Sequence, residues 1–266
     1  LTRSLCGRPR AASSLAALLC IVAAFSAAGC GSSVDLTNAG PEERFAEGKR
    51  LFDDGDYVEA ITEFDIVKLQ FPGSTVADDA QYYIGEAHYQ KGEYLLAIEE
   101  FRTLKRNFAS SPLIPAAQYH TGLAYYDLSP RSELDQTYSR QAIDEFQAFI
   151  EYYPADERRK DAEEKIRELN GKLARKLYDS AEQYIKLGYF RSAGVYYDLV
   201  IQQYHDSPFA EPAYIGKITS LVDRRRYAEA KDEIAKFVER YPESALRGEA
   251  DVLQGKIPAD NSGISR

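Results

Sequence analysis

The sequence predicts an all-α fold: an array of five helix pairs, with an extended helix in the fourth pair and a short helix capping the last. Three observations predict it. Helix-ending aromatics recur at Phe71, Phe108, Tyr153, Tyr204 and Tyr241, followed by proline at once in the first, third and fifth and four residues on in the other two; proline cannot sit in a helix interior. A small residue precedes a large one by four positions at Ala60/Phe64, Ala97/Phe101, Ala142/Phe146, Ala193/Tyr197 and Ala230/Ile234, a spacing that puts both on one helix face. Gly48, Gly85 and Ala181 stand twelve residues before those alanines, Gly216 fourteen before its own and Gly122 twenty.

The chain begins at Leu1, which marks an alternative start codon or a clipped end. Residues 1–29 read as a signal peptide. Arg3, Arg8 and Arg10 precede an apolar run from Leu15 to Ala28, shorter than the roughly 20 residues a membrane-spanning helix needs, and small residues lie just before Cys30. Cys30 is then the one cysteine of the mature chain, so neither an internal disulfide nor a zinc site is expected. Residues 31–40 form a flexible tether of at most about 35 Å. Pro41 opens the first helix, with Glu42 and Glu43 favourably placed in its first turn.

In the first repeat Gly55 and Asp56 break the chain and Tyr57 opens the second helix. Ala60, Ile61, Phe64, Val67 and Leu69 form its apolar stripe, and Phe71-Pro72-Gly73-Ser74 ends it. Equivalent openings follow at Tyr94, Phe190 and Tyr227. The helix ends step by 37, 45, 51 and 37 residues, so the third repeat carries 8 extra residues and the fourth carries 14. Leu128–Tyr138 holds the first insertion and reads as a loop. The second falls in Ala155–Leu187, where Ala162, Ile166, Leu169, Leu173 and Leu177 keep helical phase, giving one helix of roughly 45–50 Å. Asn170-Gly171 is a turn-forming dipeptide, but glycine costs only about 1 kcal/mol in a helix, and continuity is expected across it. Ser244–Gly255 is the cap, and residues 256–266 form a disordered tail.

The net charge of −9 becomes −12 once the three leader arginines are removed, leaving 30 basic against 42 acidic residues. That balance disfavours nucleic acid and anionic membrane surfaces as partners. His88, His120 and His205 are the only histidines. None has a second histidine at ligand spacing, and His88 is read as structural. With no phosphate loop, no GxSxG and no nucleophile–base set, neither catalysis, nor a small-molecule substrate, nor a cofactor is expected.

The paired small and large residues resemble the tetratricopeptide repeat, which implies a right-handed superhelical array whose first helices line a concave groove. On those helices Phe45 and Phe52, Tyr82 and Tyr89, and Tyr119 and Tyr126 form a two-column aromatic ladder, with Lys49, Glu86 and Leu123 between the columns. The ladder continues in part at Tyr178 and is lost at Ala213 and Ser220. Two readings stand: the aromatics pack between helices, or they form a groove for a peptide bearing aromatic side chains, to which tyrosine brings contact area and a hydroxyl.

Ala27-Ala28-Gly29-Cys30 resembles a bacterial lipobox, with alanine where the motif has leucine. This implies a diacylglycerol-bearing, acylated Cys30, and Gly31 lacks the aspartate of an inner-membrane retention signal. The lipobox, FPGSTVADDAQYYIGEAHYQKGEY, the HTGLAYY helix, DQTYSRQAIDEFQAFIEYYP and the two insertions together resemble the BamD family of tetratricopeptide lipoproteins across nearly all of residues 30–242. The resemblance implies a non-enzymatic scaffold of the β-barrel assembly complex, lipid-anchored on the periplasmic face of the outer membrane. Residues 41–154 would receive the C-terminal segments of unfolded barrel proteins, and residues 155–255 would dock on the periplasmic domains of the barrel subunit BamA. Two alternatives are a lipoprotein assembling secretins or pili and a periplasmic coordinator of envelope or peptidoglycan synthesis. Both are expected to differ in leader or in spacing.

Overall fold

A computed structural model describes residues 37–258. The expected leader, Cys30, most of the tether and residues 259–266 of the expected tail lie outside the described residues. Every regular element described is an α-helix: α1 (Pro41–Asp54), α2 (Tyr57–Gln70), α3 (Ala77–Gln90), α4 (Tyr94–Asn107), α5 (Ile114–Leu128), α6 (Thr137–Tyr152), α7 (Arg159–Lys186), α8 (Phe190–Gln203), α9 (Ala210–Asp223), α10 (Tyr227–Arg240) and α11 (Arg247–Gly255). Consecutive helices pack as antiparallel pairs, α1/α2 through α9/α10, and α11 covers the last. The fold is a tetratricopeptide-repeat array.

Each pair is locked by a ring over a glycine. A Cβ on Gly48, Gly85 or Gly122 would stand 2.6–2.8 Å from ring atoms of Phe64, Phe101 or Phe146 respectively, and these three rings are fully buried. The fourth repeat differs. It has Ala181 in place of the glycine, and the Tyr197 ring lies instead over Gly216 of α9, in the next repeat. The Tyr197 hydroxyl donates to Glu182 at 2.5 Å.

Turns within pairs use left-handed backbone at Gly55, Gly92 and Gly188 (φ of 88°, 76° and 77°), and Arg225 takes the same role at φ 58°, where a side chain is disfavoured. Turns between pairs share another device. The aromatic residue that ends each second helix accepts, at 2.9–3.2 Å, the N–H of the residue three positions on: Ser74, Ser111, Asp156, Ser207 or Ser244. Side-chain oxygens of Ser111, Asp156 and Ser244 then take the N–H two residues further along, which fixes the turn.

The 8-residue insertion is a loop, as its composition predicts. Gln136, 1% exposed, donates to the carbonyls of Arg131 and Leu134 at 2.8 and 3.1 Å. The second insertion holds the first: Lys172 of α7 donates to Ser129 Oγ at 2.6 Å, and Lys176 donates to the Leu134 carbonyl. Helix α7 runs 28 residues unbroken through Asn170-Gly171, about 42 Å at 1.5 Å per residue. It is shorter than expected because the Asp156 turn delays its start to Arg159. Ala162, Leu169 and Leu173 join the core of repeat 3, while Ala174 and Ala181 join that of repeats 4 and 5.

Four expectations are corrected. The turn residue Arg225 stands where Gly55, Gly92 and Gly188 stand in other repeats, so Ile215 and Val222, not Ala213 and Ser220, occupy the rung positions of repeat 5. Leu69 is 74% exposed, because nine residues beyond Ala60 at 100° each bring it to the opposite face. Ile257, assigned to the tail, is buried in the last core, and the cap starts at Arg247 because Ser244 belongs to the turn.

Gly85→Ala is expected to destabilise the chain by roughly 1–2 kcal/mol, because overpacking against the Phe101 ring exceeds the helix-propensity gain. Gly171→Ala meets nothing within 4 Å and is expected to stabilise by about 1 kcal/mol. Urea unfolding at unchanged m-value checks the opposite signs.

Candidate functional site

First helices of neighbouring repeats touch one another (α1 with α3, α5 with α7, α7 with α9), and no comparable contact joins two second helices. The first helices therefore line the inner side of the curve, where the sequence places its aromatic ladder.

Phe45, Phe52, Tyr82, Tyr89 and Tyr126 are all half-buried there, while Tyr119 is 9% exposed. All of these rings but that of Tyr126 join through two residues that the sequence reading missed. Tyr83 meets Phe45, Phe52 and Tyr82 with ring centres 5.4–5.9 Å apart. His120 meets Tyr82, Tyr89 and Tyr119 at 5.6–6.1 Å. The signal was present: Tyr83 and His120 obey the same 37-residue step as the ladder. Lys49 Nζ lies 5.0 Å above the Tyr83 ring and 5.3 Å above that of Phe52.

Tyrosine hydroxyls stitch one repeat to the next. Tyr89 donates to Asp127 and Tyr119 to Asp161, both at 2.5 Å, and Tyr126 donates to Glu168 of α7. The Arg158 guanidinium stands 5.5 Å over the Tyr119 ring. Tyr119 also packs on Phe146 and Phe149, so its rung is mostly consumed by the core. Burial first, and then the neighbouring carboxylates, raise the Tyr82, Tyr89 and Tyr119 hydroxyls above the ordinary tyrosine range.

Glu86 is 8% exposed and touches His120 Nδ1 through Oε1. Neither atom has a hydrogen-bond partner among the described residues, and the pair interacts by charge only when the ring is protonated. His88 is held differently, 2.7 Å from Glu93 in the following turn. Leu123 packs into the core of repeat 3.

Residues 37–220 match the YfiO family, described as outer membrane lipoprotein. The chain belongs to that family. Helices α10 and α11 lie beyond the matched residues. Among solved structures, the chain resembles the TPR2AB domain of yeast Sti1, solved as a complex with pHSP90, at 17% identity and TM-score 0.38, over 82% of this chain and 98% of that one. A tetratricopeptide repeat protein of Parabacteroides merdae is 14% identical, with TM-score 0.36 over 81% of this chain and 74% of that one. A thermophilic repeat protein of Thermus thermophilus is 17% identical, with TM-score 0.35 over 80% and 98%. Those likenesses concern the fold alone. No match is found among curated proteins. No helix among the described residues is long and apolar enough to cross a membrane.

The hydrogen bond to Glu168, followed by burial, pushes the Tyr126 hydroxyl up to about 12. A folded value above the unfolded one of about 10 means that this bond stabilises the fold below pH 10 and is lost as pH rises toward 12. Glu168→Ala is expected to bring Tyr126 ionisation down toward 10, as followed by NMR of labelled tyrosine rings.

Proposed function

We propose that this outer membrane lipoprotein is a non-enzymatic scaffold of β-barrel assembly, held on the periplasmic face of the outer membrane by acyl chains on Cys30. In this reading the inner face of repeats 1–3 takes the C-terminal segments of unfolded barrel proteins. Repeats 4 and 5 dock on the periplasmic domains of the barrel subunit, BamA. The observation that carries it is the continuous run of rings from Phe45 to Tyr119, joined by Tyr83 and His120, with the half-buried Tyr126 further along the same helix as Tyr119. Such a surface offers an extended peptide apolar area at low entropic cost, with Lys49 and the buried Glu86 as polar contacts. Several acyl chains on one cysteine would anchor it stably, since each buried methylene contributes about 0.8 kcal/mol.

Pull-down with a barrel-protein C-terminal peptide, with and without its final aromatic residue, tests the groove. Binding is expected to need that residue and to fall at least tenfold in a Tyr82→Ala, Tyr126→Ala double variant of unchanged helicity. Equal binding of both peptides sinks the reading, and lost helicity assigns these rings to packing. Separately, Cys30→Ser is expected to abolish palmitate labelling and move the protein from the membrane pellet to the periplasmic fraction.

A further inference from the structure

The inner face changes character toward its C-terminal end. Where repeats 1–3 carry aromatic rungs, 10 and 3 residues before the turn residue, repeat 5 has Ile215 and Val222 before Arg225, and a cleft of about 410 Å³ opens between α7, α9 and the cap. Tyr178, Ile185, Ile215 and Leu246 give it an apolar floor. A second hollow of about 520 Å³ adjoins it along Thr219 and runs on to Val252, which is 61% exposed. Both volumes fall in the range of ligand-sized clefts.

Charge sets the kind of occupant. Glu182, Asp223 and Glu249 line the first cleft and no basic side chain does. Neither Asp223 nor Glu249 is ion-paired among the described residues. On the same helix α9, by contrast, Lys217 Nζ sits 2.6 Å from Asp198 and 3.0 Å from Glu233. A floor of apolar groups under an unmatched acidic rim complements a cation carried between apolar side chains.

We propose that this cleft seats a short segment of a partner protein in which a lysine or arginine is flanked by apolar residues. The apolar groups rest on the Tyr178 and Ile215 floor, and the cation meets the rim of Asp223 and Glu249. The inference rests on the reading of repeats 4 and 5 as a docking module, to which it adds the residues and the chemistry.

The test titrates the full chain against a fluorescein-labelled peptide of alternating leucine and arginine, read by anisotropy. Two control peptides replace arginine by glutamate or leucine by serine. The leucine–arginine peptide is expected to bind at least tenfold tighter than either control, with affinity falling as salt rises. Asp223→Asn with Glu249→Gln alters only exposed rim charges and is expected to weaken binding tenfold or more. Thr219→Tyr, which fills the cleft from a half-buried position, is expected to abolish it. Equal binding of the three peptides, or undiminished affinity in the double variant, overturns the proposal. Affinity purification with the double variant separates the two readings. Lost peptide binding with full recovery of the barrel subunit keeps the cleft and removes the docking of that subunit at this surface.

Discussion

The structure depends on one contact: an aromatic ring lying where a glycine has no side chain. At Gly48, Gly85 and Gly122 the facing phenylalanine comes so close that a methyl group could not be accommodated without displacement. The two helices of a pair therefore pack at a separation set by the ring. The ring is fully buried, so the contact also supplies much of the apolar burial of its repeat. In the fourth repeat the same device moves. Ala181 fills the slot within the pair, and Tyr197 reaches forward to Gly216, so there the ring locks two repeats together. That leaves Ile234 as the smaller residue of the fifth pair, within a core closed by Leu253 and Ile257 of the cap region.

Once the pairs are set, the 37-residue step acts as a ruler for everything displayed on them. Rungs recur because the helices recur, and so do Tyr83 and His120 beside them. A polar seam follows the same rule. The Gln81 amide donates to the Glu100 carbonyl at 3.1 Å, and the Gln118 amide does the same at Glu145. The partners step by 37 and then by 45, because the loop insertion falls between Gln118 and Glu145. The insertion thus lengthens the connection without disturbing the seam.

This regularity explains what was legible in the sequence. Helix pairs, both insertions and the unbroken α7 follow from periodic apolar positions and turn residues, which are local properties. Leu69 was misplaced because it is apolar but lies half a turn from the stripe, and composition alone does not show that. The contact between the two insertions, Lys172 and Lys176 on the 129–136 loop, was hidden because it joins residues about 42 positions apart with no shared pattern. His120 obeyed the ruler, yet it was read by residue type, as a failed metal ligand, and its position beside Tyr119 went unused. The C-terminal cleft was invisible as a site because small residues, Gly216 and Ser220, open it.

Helix α7 is what allows one inner face to hold two different surfaces. Its first half accepts the Tyr119 and Tyr126 hydroxyls on Asp161 and Glu168, completing the last aromatic rungs of the N-terminal repeats. Its second half contributes Tyr178, Glu182 and Ile185 to the cleft. A helix of ordinary repeat length, 14 residues like α1 or α9, would span about 21 Å and could serve one surface or the other. Doubling it to 28 residues sets both on one rigid element, and the lysines of its added turns cover the polar loop that would otherwise face solvent. The aromatic face ends where rings give way to the aliphatic Ile215 and Val222, and the extended helix carries the chain across that change without a break in the core.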